Sequence, residues 1–485
     1  MKNIGKYHAD DNKSEYLPFH PRNFRNRIFP CQTIAVSFCS PTCIPEPSIV
    51  YLLHTTDKEP GSVAQKGLTL RLAGFVTLFI LSHFSHHLLT ALVIPMLPFI
   101  RDTFSLSYTA AGLVAAAFNF SNGLGQLPAG WLADKVGARI VMTIGLAGVA
   151  LAGAMVGLST GLPLLILFLV LMGLAGGGYH PAAPPLIIGA VGESHRGKAL
   201  GFHVIGGSMS HFISPVIGIS LAMLWGWRGA FLGTALPVFV FGVFFFLFLG
   251  RIGIGAAPRP SAAETAGAAS ELPDAPSPTH IHTRIVPPGD WTKSLRLVAF
   301  IALTSAATSF GQACITFTPM VMLDFFHVDE KAAAMTLSII YSVGFWAAPL
   351  SGYFSDRIGR VSVLVAMSLL LIPVIGLVTL VPYGPLTYVI MMGFGVVLFA
   401  RMPVSEAFII ENVSPRKRSS VLGIYYAAGM VGGATLTPLI GMGIDRYGFQ
   451  SAFSVTALVY AALVLVFIAL LAISGKRYSP ESVTD

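Results

Sequence analysis

The sequence has few charged residues. Only 11% of its 485 residues are Asp, Glu, Lys or Arg, whereas 54% are hydrophobic and the mean hydropathy is +0.73. A soluble domain carries about a quarter charged residues, so this composition excludes an ordinary soluble protein. The apolar residues form runs long enough to cross a membrane, which takes about 20 helical residues. Because no period-2 alternation occurs, these runs are predicted to be helices rather than strands of a barrel.

Cysteines and nucleotide-binding motifs are also scarce. Of four cysteines, Cys31, Cys39 and Cys43 lack the spacing of a zinc finger, and Cys314 lies in an apolar run where a packed thiol is expected. Residues 192–199 resemble a phosphate-binding loop, but they lack the Ser or Thr that holds magnesium and do not follow a strand. No Ser/His/Asp or Cys/His set is evident. The sequence therefore predicts neither an ATP-driven pump nor an enzyme, and it predicts no cofactor.

Twelve apolar spans are predicted, in two groups of six. Spans 1 to 6 are predicted at 72–100, 107–129, 140–159, 162–190, 199–224 and 229–250. Spans 7 to 12 are predicted at 294–323, 332–352, 362–381, 385–410, 419–443 and 450–474. The expected fold class is an all-α membrane protein in which the twelve transmembrane helices form two six-helix bundles.

The remaining segments are expected to be tails and a linker. Residues 1–70 are polar, show no sustained periodicity and lack the pattern of a signal peptide, so we expect a disordered tail or a misassigned start. The stretch 253–292 is rich in Pro and Ala and is expected to be a flexible linker. It would join an N-terminal bundle at 71–252 to a C-terminal bundle at 293–475, followed by a short tail at 476–485.

The net charge of +8 is explained by membrane topology rather than by nucleic-acid binding. If the helices alternate in direction, most basic loop residues fall on one side. These residues are Lys135, Arg139, Arg196, Lys198, Arg251, Arg357, Arg360, Arg416, Lys417, Arg418, Lys476 and Arg477. Since Lys and Arg collect in cytoplasmic loops, both termini and the linker are expected in the cytoplasm, and the protein in a bacterial-type inner membrane. The expected partners are the lipid bilayer and a small-molecule substrate, with no nucleic acid, and the protein is expected to be a monomer.

The two halves of the sequence repeat each other at one offset. Residues 130–137 (GWLADKVG) recur at 352–359 (GYFSDRIG), 222 residues later. The same offset relates Pro181 to Pro403, and further pairs along the halves follow it. In this plan the chain resembles carriers of the major facilitator superfamily, which have parallel six-helix repeats and a substrate site at the midplane between them.

The loop after span 2 and its copy after span 8 strengthen this resemblance. The superfamily motif is G-x-L-A-D-R-x-G-R-R/K. The two copies supply Gly130, Asp134, Lys135, Gly137, Arg139, Gly352, Asp356, Arg357, Gly359 and Arg360. The resemblance implies a cytoplasmic gate, in which the small residues allow close helix approach. Asp134 and Asp356 would face a helix N-terminus and nearby Arg side chains when the gate is closed.

Within the superfamily, the sequence is similar to fosmidomycin-resistance exporters. This similarity is carried by residues 81–83 (LSH) in span 1 and 179–181 (YHP) in span 4. That group has an acidic residue shortly after each His, whereas here residues 86–87 are His and residue 182 is Ala. Spans 5 and 11 also contain a weakened form of an antiporter motif of small residues and Pro. Its members, expected to pack helices closely, are Ser214, Pro215, Gly218, Pro438 and Gly441. The resemblance implies efflux by antiport.

Polar side chains at membrane depth mark a candidate pathway for substrate or protons, because ionisable groups in the bilayer face a cavity or a partner. The candidates are His83, His86, His87, Asn119, Asn122, His180, His203, Gln312, Arg401 and Glu406. His83, His86 and His87 share one face of span 1. Their spacing would allow a metal ion, but Cys and acidic partners are missing, so no metal site is predicted.

Span 10 contains a cation and an acid. Arg401 is expected to contact an anionic substrate, because a planar guanidinium suits a carboxylate or phosphonate. The alternative is an internal ion pair with Glu406. Glu406 is also a candidate proton carrier, as are the histidines, which titrate near neutral pH.

Together these features predict a secondary active transporter that works by alternating access. The expected activity is proton-coupled efflux of a small amphipathic or anionic compound. Two alternatives stay open: proton-coupled uptake of an organic anion, and a non-transporting membrane receptor or sensor on the same fold.

Overall fold

The computed structural model describes residues 63–191, 196–254, 291–413 and 418–476. Most of the predicted tails and linker, and two loops that contain residues 192–195 and 414–417, lie outside this part. All regular structure within the described residues is helical.

The N-terminal half contains spans 1 to 6. Span 1 consists of the helices Val63–Thr90 and Val93–Phe104, and span 2 of Tyr108–Val136. Span 3 combines Ala138–Thr143, a π-helical turn Ile144–Gly148 and Val149–Gly157. Span 4 consists of Leu162–Gly176 and Tyr179–Ala190. Spans 5 and 6 lie in one segment, Arg196–Arg251.

The C-terminal half contains spans 7 to 12. Span 7 consists of Trp291–Met320 and a π-helical turn Val321–Phe325, and span 8 of Glu330–Ser342 and Gly344–Ile358. Spans 9 and 10 are Arg360–Leu377 and Pro385–Asn412. Spans 11 and 12 lie in one segment, Arg418–Lys476.

Two of these segments are too long for a single crossing. At 56 and 59 residues they would extend more than about 80 Å, against a hydrocarbon core of about 30 Å. Each is broken at a glycine with positive φ: Gly226 at +71° and Gly448 at +76°. By length and composition, nine described helical segments can span a membrane, including these two. With each of the two counted as two crossings, and with the less apolar Tyr108–Val136 added, the described chain makes the twelve crossings that the sequence predicts.

The backbone repeats at the offset found in the sequence. The positive-φ pairs Ser105 and His327, Gly137 and Gly359, and Gly226 and Gly448 are each 222 residues apart. Two helix N-caps follow the same rule: Ser107 accepts a hydrogen bond from Ala110 N–H, and Asp329 accepts one from Ala332 N–H. The duplication therefore fixes where the chain turns, as well as which residues it contains.

The two halves contact each other along two helix pairs. Span 2 packs on span 11, where a Cβ on Gly112 would lie 3.0 Å from Pro438 Cα. Span 5 meets span 8, where Ser338 Oγ donates to the Phe212 carbonyl at 2.8 Å. One continuous apolar core contains side chains of both halves.

Candidate functional site

Six of the seven histidines among the described residues collect inside the N-terminal half. They are His83, His86, His87, His180, His203 and His211. Spans 1, 4 and 5 supply them. Five of the six, all but His211 of span 5, were expected to lie on the pathway.

Three histidine rings and one tyrosine ring form a stack. His203 stacks on His83 with centroids 4.3 Å apart, His83 on Tyr179 at 5.4 Å, and Tyr179 on His86 at 4.5 Å. All three pairs are within 20° of parallel. Gly207 makes room for this stack, because a Cβ there would lie 2.6 Å from His83 Cε1. The stack fixes the positions of the buried rings.

Backbone carbonyls determine which nitrogen of the buried rings bears hydrogen. His83 Nδ1 lies 2.8 Å from the His203 carbonyl, and His203 Nδ1 lies 3.1 Å from the Phe79 carbonyl. His86 Nδ1 lies 2.8 Å from the Gly145 carbonyl in span 3. A carbonyl only accepts hydrogen bonds, so each Nδ1 donates. In the neutral ring, Nε2 therefore has the lone pair, and His83 Nε2 is buried with no hydrogen-bond partner among the described residues.

Three histidines from spans 1 and 4 bring one ligand atom each to a common point. The nitrogens of His83, His87 and His180 all lie within 4.8 Å of one another. The sequence pointed instead to His83, His86 and His87 of span 1 as the set with metal-ligand spacing. His86 is drawn away by the Gly145 carbonyl, and His180 of span 4 takes its place.

The C-terminal half contains a buried guanidinium. Arg401 is 4% exposed, and its Nη1 donates to Thr304 Oγ1 at 2.9 Å and to the Tyr425 hydroxyl at 2.7 Å. Its Nε has no hydrogen-bond partner among the described residues, and no described carboxylate forms a salt bridge with it. The predicted alternative, a direct ion pair with Glu406, is not made in this conformation. Glu406 Oε1 instead accepts a hydrogen bond from the Tyr426 hydroxyl at 2.6 Å.

The candidate amides lie on spans 2 and 7. Asn119 and Asn122 are buried, and Asn122 Oδ1 accepts a hydrogen bond from Gln126 Nε2 at 3.2 Å. The Gln126 side chain also contacts Met430 Sδ of span 11 at 2.9 Å, which connects the amides of span 2 to the other half. Gln312 of span 7 is half-buried. Asn122 and Gln126 therefore lie at the contact between spans 2 and 11, and Gln312 lies beside Gly433 of span 11.

The described charged side chains of the expected gate contact residues of their own halves. Lys135 Nζ lies over the Trp131 ring at 4.1 Å, and Arg139 lies over Phe246 at 4.7 Å. The side chain of Asp134 lies outside the described part, and so do those of Arg196 and Arg418.

In the second copy of the gate motif, Arg360 forms ion pairs with Asp356 at 2.6 Å and with Glu411 at 2.9 Å. Arg357 lies over the Tyr353 ring at 4.2 Å. The expected close helix approach at Gly130 and Gly352 is not made here, since a Cβ at either glycine would have no atom within 4 Å.

The opposite end of the molecule, where spans 1 and 2 meet, is closed by contacts between the halves. Arg101 forms an ion pair with Asp324 of span 7, and the Tyr108 hydroxyl donates to the same carboxylate at 3.0 Å. Asp445 accepts from the backbone N–H groups of Tyr108 and Thr109 at 2.8 Å each. It thereby caps, from the other half, the first turn of span 2, where a carboxylate is favourable. We call these contacts the Arg101-end closure.

The sequence did not single out this closure. One signal was available, because Asp102 and Asp324 are related by the 222-residue offset and Arg101 binds both carboxylates.

Close helix contacts occur at residues of the motif of small residues and proline. Ser214 Oγ donates to the Leu88 carbonyl at 3.0 Å, Pro215 is buried beside it, and a Cβ on Gly218 would lie 2.5 Å from Leu92 Cδ2. Span 5 therefore packs on span 1 within one half. In span 11, Pro438 lies against Gly112, and a Cβ on Gly441 would lie 2.5 Å from the Tyr108 carbonyl oxygen.

Known proteins resemble this chain in sequence and in fold. Residues 79–403 and 301–484 match the Major Facilitator Superfamily. The chain is 25% identical over 381 residues to the multidrug resistance protein MdtG of Enterobacter lignolyticus, covering 76% of this chain and 85% of the relative. It is 28% identical over 145 residues to a probable L-galactonate transporter of Escherichia coli, covering 30% of this chain and 31% of the relative.

Among solved structures, a POT family transporter in complex with 5-aminolevulinic acid superposes with a TM-score of 0.68. The identity is 13%, and the match covers 82% of this chain and 96% of that one. This likeness supports the fold. The narrower resemblance to fosmidomycin-resistance exporters stays a prediction.

The helical architecture, the duplicated halves and the match over most of the chain agree with one another and confirm the family expected from the sequence. The chain is a membrane transport protein that belongs to the Major Facilitator Superfamily.

Proposed function

We propose that the protein is a secondary active transporter that exports a small anionic or amphipathic compound in exchange for protons. It would work by alternating access, with the two halves rocking about a site between the histidine cluster and Arg401. The inner membrane and cytoplasmic termini are part of this proposal, and they rest on the distribution of Lys and Arg.

The observation that carries the proposal is the buried guanidinium of Arg401. A charge at membrane depth is costly unless a partner compensates it, and Arg401 has two hydroxyl partners and no described ion pair. Its Nε is without a hydrogen-bond partner among the described residues. A carboxylate or phosphonate on the substrate would supply the missing negative charge. The planar guanidinium can bind both oxygens of such a group.

The relatives support both parts of this substrate class. The name of MdtG refers to multidrug resistance, which favours efflux of amphipathic compounds. Two shorter matches favour an anion, because they are to a probable L-galactonate transporter and to a probable anion transporter of Arabidopsis thaliana.

The Arg101-end closure supports alternating access. Arg101, Tyr108 and Thr109 of one half contact Asp324 and Asp445 of the other, whereas the described gate residues at the opposite end form their polar contacts within their own halves. With the proposed topology, this conformation is closed to the outside. The Asp134 and Asp356 loops would then form their contacts in the alternate, outward-facing state.

Proton coupling is assigned to Glu406, with the histidine cluster as the second candidate. Glu406 is half-buried, is bound to Tyr426 and lies five residues from Arg401. Protonation of this carboxylate would remove the negative charge nearest to Arg401 along span 10 and change how strongly Arg401 attracts an anion.

The proposal is tested by flux into proteoliposomes with an imposed pH gradient, over a panel of paired anionic and neutral compounds. We expect anionic or amphipathic compounds to move against the direction of proton flow. The variant Arg401→Lys should reduce transport of anions more than that of neutral compounds, and Arg446→Lys, at an exposed position beside Tyr447, serves as the matched control.

Each alternative function has its own outcome in the same assay. Movement of an organic anion in the same direction as protons would establish uptake and overturn efflux. Binding without flux for any compound would establish a receptor. Equal effects of Arg401→Lys on anionic and neutral compounds would assign Arg401 a structural role.

A further inference from the structure

The convergence of His83, His87 and His180 is not explained by transport of an organic anion. Three imidazole nitrogens lie within 4.8 Å of one another inside a membrane domain, and they come from two different spans. His211 adds a fourth ring, 4.5 Å from His87, and its Nδ1 is buried without a hydrogen-bond partner among the described residues. The remaining described histidine, His327, lies far along the chain in the other half.

Two of the three rings are held with a nitrogen lone pair directed away from the backbone. His83 donates from Nδ1 to the His203 carbonyl, which leaves Nε2 as the acceptor nitrogen. Thr90 Oγ1 donates to the His86 carbonyl at 3.2 Å, so its oxygen accepts from His87 Nδ1 at 3.3 Å. His87 Nε2 then also has the lone pair. Metal-ligating histidines are generally oriented in this way, by a carbonyl or other acceptor on the second nitrogen.

The spacing can be brought to metal-binding geometry by small side-chain movements. Three nitrogens bound at about 2.0–2.1 Å around a tetrahedral ion stand roughly 3.3 Å apart. The distances between the three nitrogens, at most 4.8 Å here, must therefore shorten by about 1.5 Å at most. His83 is buried in the stack, but His87 and His180 are only half-buried and have room to turn toward it.

The ligand chemistry selects one class of ion. Imidazole suits late first-row transition metals, whereas calcium and magnesium require oxygen ligands. Three neutral histidines leave the full charge of a divalent ion uncompensated and one coordination position open. An anion or water can fill that position, as in catalytic three-histidine zinc sites.

We propose that His83, His87 and His180 form a binding site for a divalent late transition metal ion such as Zn²⁺ or Ni²⁺, whose fourth coordination position, beside His211, is taken by water or an anion. The site goes beyond the transport activity proposed above and does not depend on it. A chain that moves no anion would still bind the ion, and a chain that binds no ion would still be an anion carrier.

The test is calorimetric titration of the purified full chain with ZnCl₂ and NiCl₂ near neutral pH. The protein should be purified through a tag without histidine. Six histidines outside the described residues could bind metal independently, so they are first replaced by Ala: His8, His20, His54, His195, His280 and His282. In this background we expect one ion per chain.

The variants separate ligands from neighbours. We expect His87→Gln and His180→Gln to weaken binding by at least about 100-fold, the upper end of the loss when even an outer partner is removed. Thr90→Val, which removes the acceptor for His87 and the donor to the His86 carbonyl but no ligand, should weaken it by about 10- to 100-fold. His327→Gln, at the one described histidine outside the cluster, is the matched control and should leave the affinity unchanged.

A second readout does not depend on affinity. Co²⁺ bound by three histidines and one water or anion should give the visible absorption bands of a four-coordinate ion, and His180→Gln should abolish them while the variant stays monodisperse. Absence of binding by the background protein would overturn the proposal. One-to-one binding that survives both His87→Gln and His180→Gln, or is lost equally in His327→Gln, would overturn it as well.

Discussion

Tyr179 and Arg401 occupy the same position in the two halves, 222 residues apart, and each is held by the equivalent hydroxyl. Tyr179 bonds to Ser82 at 2.7 Å, and Arg401 bonds to Thr304 at 2.9 Å. Their third partners are also equivalent, because His203 in one half corresponds to Tyr425 in the other. The duplication has thus kept a set of three contacting residues in each half: Tyr179, Ser82 and His203 in one, and Arg401, Thr304 and Tyr425 in the other. The central residue is a neutral tyrosine in the first set and a cationic arginine in the second.

Removal of the hydrogen bond between Arg401 and Tyr425 should destabilise the C-terminal half. Tyr425→Phe deletes the hydroxyl that accepts from Arg401 at 2.7 Å. Loss of a hydrogen bond to a charged group costs about 1.5–3 kcal/mol, so we expect a lower melting temperature and weaker anion binding. Thermal unfolding in detergent measures the first effect. Tyr447→Phe, at an exposed tyrosine, should leave the melting temperature unchanged.

The Arg101-end closure should depend on the ion pair that crosses between the halves. Asp324→Asn removes one carboxylate from Arg101, whereas Asp102→Asn removes the other, which belongs to the same half as Arg101. We expect Asp324→Asn to shift the ratio of closed to open molecules by about tenfold or more, and Asp102→Asn to change it little.

Spin labels measure this shift. Labels at the exposed positions Ser105 and Lys331 report the distance between the halves at the closed end, in a background without Cys31, Cys39 and Cys43. A distance distribution that is the same for Asp324→Asn and Asp102→Asn would show that the ion pair does not hold this end closed.

The gate motif should matter for transport more than for folding. Asp134→Asn removes the charge that is expected to face a helix N-terminus in the alternate state, an interaction of up to about 2 kcal/mol. We expect transport to fall by about tenfold while the amount of inserted protein is unchanged, as judged by fluorescence-detected gel filtration. The comparison variant is Glu411→Gln, which removes an acid that pairs with Arg360 but lies outside the motif. Full transport by Asp134→Asn would contradict the gate.

The histidine stack should not tolerate a methyl group at Gly207. A Cβ there would lie 2.6 Å from His83 Cε1 and 2.7 Å from Nε2. Gly207→Ala must therefore displace the His83 ring, at a cost of about 1–3 kcal/mol for overpacking, and it should also abolish binding of Zn²⁺. Gly201→Ala controls for the change in helix propensity, because Gly201 lies on the same helix and a Cβ there would have no atom within 4 Å. Equal melting temperatures and equal metal affinities for the two variants would argue against the stack.

The sequence predicted the elements that depend on local composition. Twelve spans could be located because apolar length is a local property, and the repeat could be found because the motif around Asp134 recurs around Asp356. The family followed from these two features. The turns at Gly226 and Gly448 were expected only as boundaries between spans.

What the sequence missed depends on partners far apart in the chain. Arg101 looked like an isolated loop charge because Asp324 lies 223 residues away, and the cap by Asp445 on Tyr108 has no local signature. The three-histidine set was also missed: His86 has suitable spacing but is turned to a carbonyl of span 3, and only the tertiary fold brings His180 beside His83.

The turns at Gly226 and Gly448 reverse the chain without any loop, and the turns after spans 1 and 7 on the same face are only a few residues long. Apart from residues 378–384, which join spans 9 and 10, the described connections on that face therefore offer little protruding chain for an antibody fragment or a protease to recognise. Binders and proteases directed at this face should accordingly act first on that connection.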